Sequence, residues 1–225
     1  MTHSAACLLI FAKAPQPSRV KTRLASRLGA ERAAQVHGEL VQHSLATLSN
    51  GAAWATQLWC APDTAHPFFQ ACRQHHRLSL HCQQGTDLGQ RMHHALATAL
   101  RHNSAALLIG SDCPYLTRTY VEEALDALHQ GNDGVLVPAR DGGYVLIGLR
   151  RPQSALFKDV PWGGPAVLAS TRERFRRARL RWRELPPLED IDDAQDLERL
   201  LNQGAGPTAD PSLQKLARRL RPLLD

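Results

Sequence analysis

Long apolar runs are missing from this 225-residue chain. No stretch approaches the roughly 20 apolar residues needed for a helix to cross a bilayer, so no membrane-spanning helix is expected. Paired cysteines are missing as well. The five cysteines, at positions 7, 60, 72, 82 and 113, form an odd set with no C-x-x-C spacing. That argues against a disulfide framework and for a reducing, cytoplasmic setting. Residues 1–7 carry no basic segment ahead of the first apolar run, and that run is only strand-sized, so no secretory leader is expected. Aromatic residues are scarce, at 5% of the chain. The arginine-rich stretch from Arg172 to Arg183 has no aromatic platform series, glycine-rich RNA motif or zinc-finger spacing. Nucleic-acid binding is therefore disfavoured despite a net charge of +6, and a non-catalytic basic nucleic-acid-binding domain stays only as a last alternative.

Catalytic signatures of several enzyme classes are also absent. There is no G-x-S-x-G or Ser-His-Asp arrangement, and residues 85–89 do not spell a dinucleotide fingerprint. Cys72, His75, His76 and Cys82 are ligand types without an established zinc spacing. His93 and His94, adjacent on a helix, point apart.

What is present is an alternation of short apolar runs with longer amphipathic stretches. Strands are expected near residues 7–11, 53–60, 78–82, 105–109, 134–138, 144–149 and 180–185. Helices are expected near 30–48, 67–75, 88–101, 118–130, 165–177 and 194–201. Strands separated by helices imply βαβ units and a mainly parallel sheet covered on both faces, an α/β/α sandwich. Between the fifth and sixth strands only a turn-forming Asp141-Gly142-Gly143 intervenes, so a local antiparallel element is expected there. A Gly/Pro-rich segment at 202–211 precedes an amphipathic stripe of Leu213, Leu216, Leu220 and Leu223, which reads as a docked terminal helix or a homodimer contact.

Three segments carry chemistry. The first strand empties into a loop bearing Lys13, Arg19, Lys21 and Arg23, with Pro15 and Pro17 limiting the backbone. Four cations at one sheet edge suit a polyanion such as a nucleotide diphosphate, because arginine forks and lysine point charges grip phosphate oxygens. The fourth strand ends in Ser111-Asp112-Cys113. Ligands of open parallel sheets sit beyond such strand ends, and an aspartate there suits a hard cation, Mg²⁺ or Mn²⁺. Thr117 is left to cap the following helix. The third segment, residues 188–197, crowds five carboxylates. Asp193 and Asp196 read as helix caps. Asp190 and Asp192, two apart on an extended backbone, point the same way and supply the carboxylates that a lone Asp112 lacks.

The blocks FAKAPQPSRVKTRLA, QGTDLGQRM, LLIGSDCPYLT, PARDGGYVLIGL and LEDIDDAQDLERL, spanning residues 8 to 200 in this order, resemble a bacterial family of nucleotide-diphospho-sugar transferase-like proteins with the GT-A, Rossmann-like fold. That family includes arsenosugar-biosynthesis-type glycosyltransferases, and the layout also resembles phospholactate and molybdenum-cofactor guanylyltransferases. The resemblance implies one transferase domain over residues 1–203, with 204–225 a linker and terminal helix. It implies a divalent metal, a nucleotide or nucleotide-sugar donor and a small-molecule acceptor. Donor contacts would come from Ala12, Lys13, Arg19, Lys21, Arg23, Gln84, Gly85 and Leu88. Asp112, Asp190 and Asp192 would hold the metal. Asp112 and Asp141 would be catalytic, and Asp141, Gly142 and Gly143 would border the acceptor. The expected reaction is glycosyl transfer from a nucleotide sugar, with nucleotidyl transfer to a phosphorylated small molecule as the alternative. Two departures from the family pattern stand out: Ser18 where glycine is usual, and a Ser111-Asp112-Cys113 turn without the paired carboxylates of D-x-D.

Overall fold

The computed structural model describes residues 6–49, 53–206 and 210–224. Residues 1–5, which the reading of the N-terminus covers, and 207–209 of the Gly/Pro-rich segment lie outside the described residues. Seven strands form one sheet: β1 (Cys7–Lys13), β2 (Ala55–Ala61), β3 (Ser79–Cys82), β4 (Ala106–Gly110), β5 (Gly134–Pro138), β6 (Tyr144–Leu149) and β7 (Trp182–Glu184). Their spatial order is β3-β2-β1-β4-β6-β5-β7. Only β6 runs against its neighbours, pairing antiparallel with both β4 and β5. Each predicted strand is present, and the antiparallel element falls where the three-residue turn leaves no room for a crossover helix.

β1 shows why the sheet is central. Six of its seven residues are buried, and alternate side chains point to opposite faces. Leu8, Ile10 and Ala12 enter one apolar core, while Cys7, Leu9 and Phe11 enter the other. The first core is closed by α2 (Ala30–Leu48), α3 (Pro67–His76) and α5 (Arg118–His129), the second by α4 (Leu88–Ala99) and α6 (Val167–Arg177). The result is the three-layer sandwich expected from the alternating pattern.

A third apolar cluster joins α2 to α1 (Thr22–Leu28), α7 (Ala194–Gln203) and α8 (Pro211–Leu220). Leu216 and Leu220 of the terminal stripe are buried in it, so among the described residues the stripe is spent inside the chain. α1 was not expected: the residues after Pro17 read as loop. It is a single short helix with one buried side chain, Leu24, too little periodicity to register in the sequence. Thr117 does precede α5, but its side chain makes no capping hydrogen bond.

Topology delivers the chemistry to one edge. β1, β4 and β5 run in the same direction, so Lys13, Gly110 and Pro138 end together. Because β6 runs back, the 139–143 turn stays at that edge. Ala139 then bridges in parallel to Leu188, and Leu188 N donates to Pro138 O at 3.0 Å. The acidic 188–192 segment is thereby laid beside the turn.

Candidate active site

Two adjoining cavities open at this edge. The first, ≈ 360 Å³, is walled by the basic loop after β1, the Ser111–Asp112 turn and Gln83. The second, ≈ 420 Å³, lies over β6 and α4 against the 162–164 loop. Phe11, Arg23, Leu88, Gly110 and Asp192 line both.

The basic loop is tightly folded. Ser18 and Lys21 both adopt positive φ, 62° and 47°, a region in which non-glycine residues are strained. At Ser18 this is a backbone region that glycine enters without strain. Lys13, Arg19 and Arg23 are exposed, and among the described residues Lys13 and Arg19 have no acidic partner within ion-pair distance. Arg23 reaches only Asp192, at 3.8 Å. Lys21 is different. Its side chain is 4% exposed, and its ammonium lies 2.9 Å from Asp112 Oδ2 and 3.3 Å from Asp192 Oδ1. It also donates to Ile191 O at 2.5 Å. Lys21 is a buried strut joining β4 to the acidic segment.

Asp112 stands between Lys21 and His37. His37, buried on α2, donates from Nε2 to Lys13 O at 3.0 Å and turns Nδ1 toward Asp112 Oδ1 at 3.6 Å. Desolvation at the cleft floor pushes the Asp112 carboxyl up, but Lys21 and His37 outweigh it and hold the group well below the usual carboxylate range. Its backbone adds to the strut, since Ile191 N donates to Asp112 O at 2.9 Å.

The tightest group of carboxylates is Asp141, Asp190 and Asp192, each offering an oxygen within 4.8 Å of the others. Asp112 and Asp192 touch the same ammonium, yet Asp112 is not part of that group. The sequence reading grouped Asp112 with Asp190 and Asp192; the structure instead brings Asp141 to them, carried by the 139–143 turn. Burial, then the carboxylates of Asp192 and Asp141, push Asp190 up to about 6. Asp193 and Asp196 form a reciprocal capping box at the start of α7, which fixes the extended 190–192 stretch.

The glycines of two motifs build the second cavity. Gly142, at φ 92°, would drive any side chain onto Pro165 O at 2.2 Å, and its carbonyl accepts from Leu168 N at 2.8 Å. Gly142 is therefore packed against the 161–166 loop, while Asp141 and Gly143 face the cavity. On α4, a Cβ at Gly89 would meet Phe157 O and Trp162 Nε1, each at 2.6 Å. Trp162 thus lies directly on the α4 backbone, edge-on to Tyr144 at 6.5 Å. Sequence reading missed Trp162, although Pro161-Trp162-Gly163-Gly164-Pro165 is a turn-rich signal holding one of only four tryptophans.

On the donor side, Ala12 and Leu88 line the first cavity as expected. Gln84 and Gly85 do not appear in its wall; Gln83 does, with its amide donating to Trp59 O at 2.9 Å. Gly85, at φ 140°, closes instead on the start of α4. Leu88, 45% exposed, is the one large apolar side chain left open among the described residues, and it stands at the junction of the two cavities.

The chain is similar over 97% of its length to 96% of a protein from Desulfovibrio desulfuricans G20, provisionally described as a nucleotide-diphospho-sugar transferase, at 32% identity and a TM-score of 0.86. Two more distant structures share the fold. A CMP:2-keto-3-deoxy-manno-octonic acid synthetase complexed with CTP matches at 13% identity and TM-score 0.54, over 88% of this chain and 97% of that one. Rv0371C from Mycobacterium tuberculosis H37Rv, in complex with manganese, matches at 14% identity and TM-score 0.52, over 88% and 98%. No curated protein matches. A family model described as "Uncharacterized protein conserved in bacteria (DUF2064)" matches residues 44–164. The chain belongs to this bacterial family and has the nucleotide-diphospho-sugar transferase fold.

Proposed function

We propose that the protein is a metal-dependent transferase that takes its group from a nucleotide-sugar donor. The observation that carries this reading is the placement of an exposed basic loop, Lys13, Arg19 and Arg23, in one cavity with Asp192, whose carboxylate clusters with those of Asp141 and Asp190. Cations alone would bind any polyanion. Cations facing clustered carboxylates suit a diphosphate that arrives with a divalent ion.

The carboxylate set fits such an ion. All three donors are hard oxygens from separate side chains, the chemistry Mg²⁺ and Mn²⁺ prefer over imidazole or thiolate sites. Asp190 and Asp192 come from one extended segment and Asp141 from the facing turn, so they would hold it from two sides. When bound, the ion would offset negative charge on the leaving diphosphate.

The remaining work falls to the chain. Lys13, Arg19 and Arg23 bind the donor phosphates and stabilise the charge that grows as the sugar–phosphate bond breaks. Lys21 keeps Asp112 and Asp192 in register from beneath, so Asp112 acts on the site through Lys21. An acceptor held in the second cavity presents its nucleophilic oxygen to the anomeric carbon. The carbon–oxygen bond to the diphosphate breaks, the nucleoside diphosphate leaves with the electron pair, and the acceptor proton passes to water at the open mouth.

One observation favours nucleotidyl transfer as a second reading: the β4 turn offers a single aspartate, already engaged by Lys21, and no second carboxylate beside it. A thermal-shift screen of nucleoside di- and triphosphates with and without Mn²⁺ identifies the donor. Nucleotide-sugar cleavage then supports glycosyl transfer, and pyrophosphate release from a nucleoside triphosphate supports the alternative. Absence of binding by every nucleotide overturns both.

A further inference from the structure

The two cavities differ sharply in charge. The first is lined by Lys13, Arg19, Lys21 and Arg23. The second has one cation, Arg23, shared with the first and drawn toward Asp192 at 3.8 Å. Its floor is apolar, from Met92, Leu108, Val145 and Val167. Its polar rim is acidic, from Asp141 and Asp192. Tyr144 and Trp162 supply aromatic surface, packed against the same core as Met92 and Leu108.

We infer, on the transferase reading above, that this second cavity takes an uncharged acceptor with an apolar or ring-bearing body and a free hydroxyl, and that it rejects phosphorylated acceptors. A phosphate monoester brings about −1.5 to −2 charges at neutral pH. In this cavity it would find no dedicated cation, would lose hydration against an apolar floor, and would face the Asp141, Asp190 and Asp192 cluster, whose three charges a divalent ion held there offsets only in part. An apolar body instead covers surface that water now wets, including the open Leu88 side chain. The wall that receives it is fixed: Trp162 lies on the Gly89 backbone, and its loop is seated on Gly142. A rigid aromatic wall costs little entropy to use. The hydroxyl end is directed to the rim by elimination, since the carboxylates and Arg23 are the polar groups there.

The test uses the full chain and a matched pair of probes, 2-phenylethanol and 2-phenylethyl phosphate, which share a body and differ in charge. Binding is followed by tryptophan fluorescence without nucleotide or metal, so the result does not depend on donor chemistry. The alcohol should bind at least about tenfold more tightly, and its quench should vanish in Trp162→Phe. A second variant, Gly164→Lys, places a cation in the wall where a new side chain meets only Pro161 O, at 3.5 Å. It should keep the wild-type melting temperature and move the preference about tenfold toward the phosphate. Equal or tighter binding of the phosphate by the unaltered chain overturns the inference. So does a quench that survives Trp162→Phe, or failure of both probes to bind. A separate titration with nucleotides and Mn²⁺ that shows no binding would defeat the transferase reading while leaving the probe result to stand.

Discussion

Lys21→Met is the perturbation that best separates support from substrate binding in this cleft. Methionine keeps most of the apolar stem and removes the ammonium. Lost with it are contacts to Asp112 Oδ2 at 2.9 Å, Asp192 Oδ1 at 3.3 Å and Ile191 O at 2.5 Å. A fully buried pair broken on one side costs about 3–5 kcal/mol. Here the lysine is 4% exposed but the two carboxylates are 40% and 39% exposed, so water solvates what the ammonium leaves behind. The range for hydrogen bonds to charged groups, about 1.5–3 kcal/mol, is the better guide. At about 2–4 °C per kcal/mol for a domain of this size, melting should fall by roughly 3–12 °C. Asp112→Asn in the same chain should restore part of that loss, because the one carboxylate then left without the ammonium, Asp192, is still reached by Arg23 at 3.8 Å. Arg23→Ala is the control. Its side chain is 75% exposed, so melting should shift by no more than about 0.5 kcal/mol's worth while nucleotide affinity falls. Scanning calorimetry and nucleotide titration on the same preparations decide the matter. If Lys21→Met melts with the unaltered chain and only loses nucleotide, the strut assignment is wrong and Lys21 is a phosphate ligand.

Asp190→Asn, or chelation with EDTA, should leave melting close to that of the untreated chain and remove the Mn²⁺-dependent part of nucleotide affinity; an unchanged titration would clear the 141/190/192 carboxylates of any metal role. Gly89→Ala should cost about 1–3 kcal/mol, because its methyl meets the Phe157 carbonyl and Trp162 at 2.6 Å; tryptophan emission should shift with it, and an unshifted spectrum would mean that Trp162 does not lie on α4. His43, buried on α2 with Nε2 against Pro114 O at 3.0 Å, has its pKa lowered, chiefly by burial. The unfolded chain then takes up the proton more readily, so the contribution of His43 is complete above about pH 6.5 and is lost as pH falls below it. The hydrogen bond to the Pro114 carbonyl and the charge of Asp210 raise it and Arg219 lowers it, each by less than burial does. His43→Gln should flatten the fall in melting temperature between pH 7.5 and about 5, and an equally steep fall would assign it elsewhere. Cys7, Cys60, Cys72 and Cys113 are buried and Cys82 half-buried, and burial pushes the first up to about 12; a thiol reagent should modify Cys82 first in the native protein, and a mass spectrum with another cysteine labelled ahead of it would contradict that.

The fold was legible because its strongest signals are local. β1 is apolar at nearly every position, as a strand buried on both faces must be, and the turn at 141–143 is too short to hold a crossover helix. Helices of ten or more residues announced themselves by periodicity. α1 did not, since seven residues with one buried leucine carry no period, and the Lys21 backbone that starts it sits in a left-handed conformation that no sequence rule assigns to lysine.

The site was legible in its parts and not in its partnerships. Residue types placed cations after β1 and carboxylates at 112, 141, 190 and 192, and topology then brought them to one edge. Which carboxylate meets which cation depends on distances of a few ångströms, set by a parallel bridge at Ala139–Leu188 and by a lysine turned inward. Lys21 and Arg23 are two residues apart and alike in charge, yet one faces the interior and the other the cleft. The difference lies in backbone geometry: a positive φ at Lys21 aims its side chain beneath the loop, while α1 carries Arg23 outward. The same limit applies to glycine. Gly89 and Gly142 read as helix and turn residues, but each is needed for what approaches it from a distant part of the chain, Trp162 in one case and Pro165 in the other. Both contacts come from the 161–166 loop, so the wall of the second cavity rests on two positions that leave no room for a side chain. Charge selection between donor and acceptor therefore rests on packing: the loop that walls the cation-poor second cavity is held there by Gly89, next to the Leu88 that both cavities share, and by Gly142, next to the acidic rim.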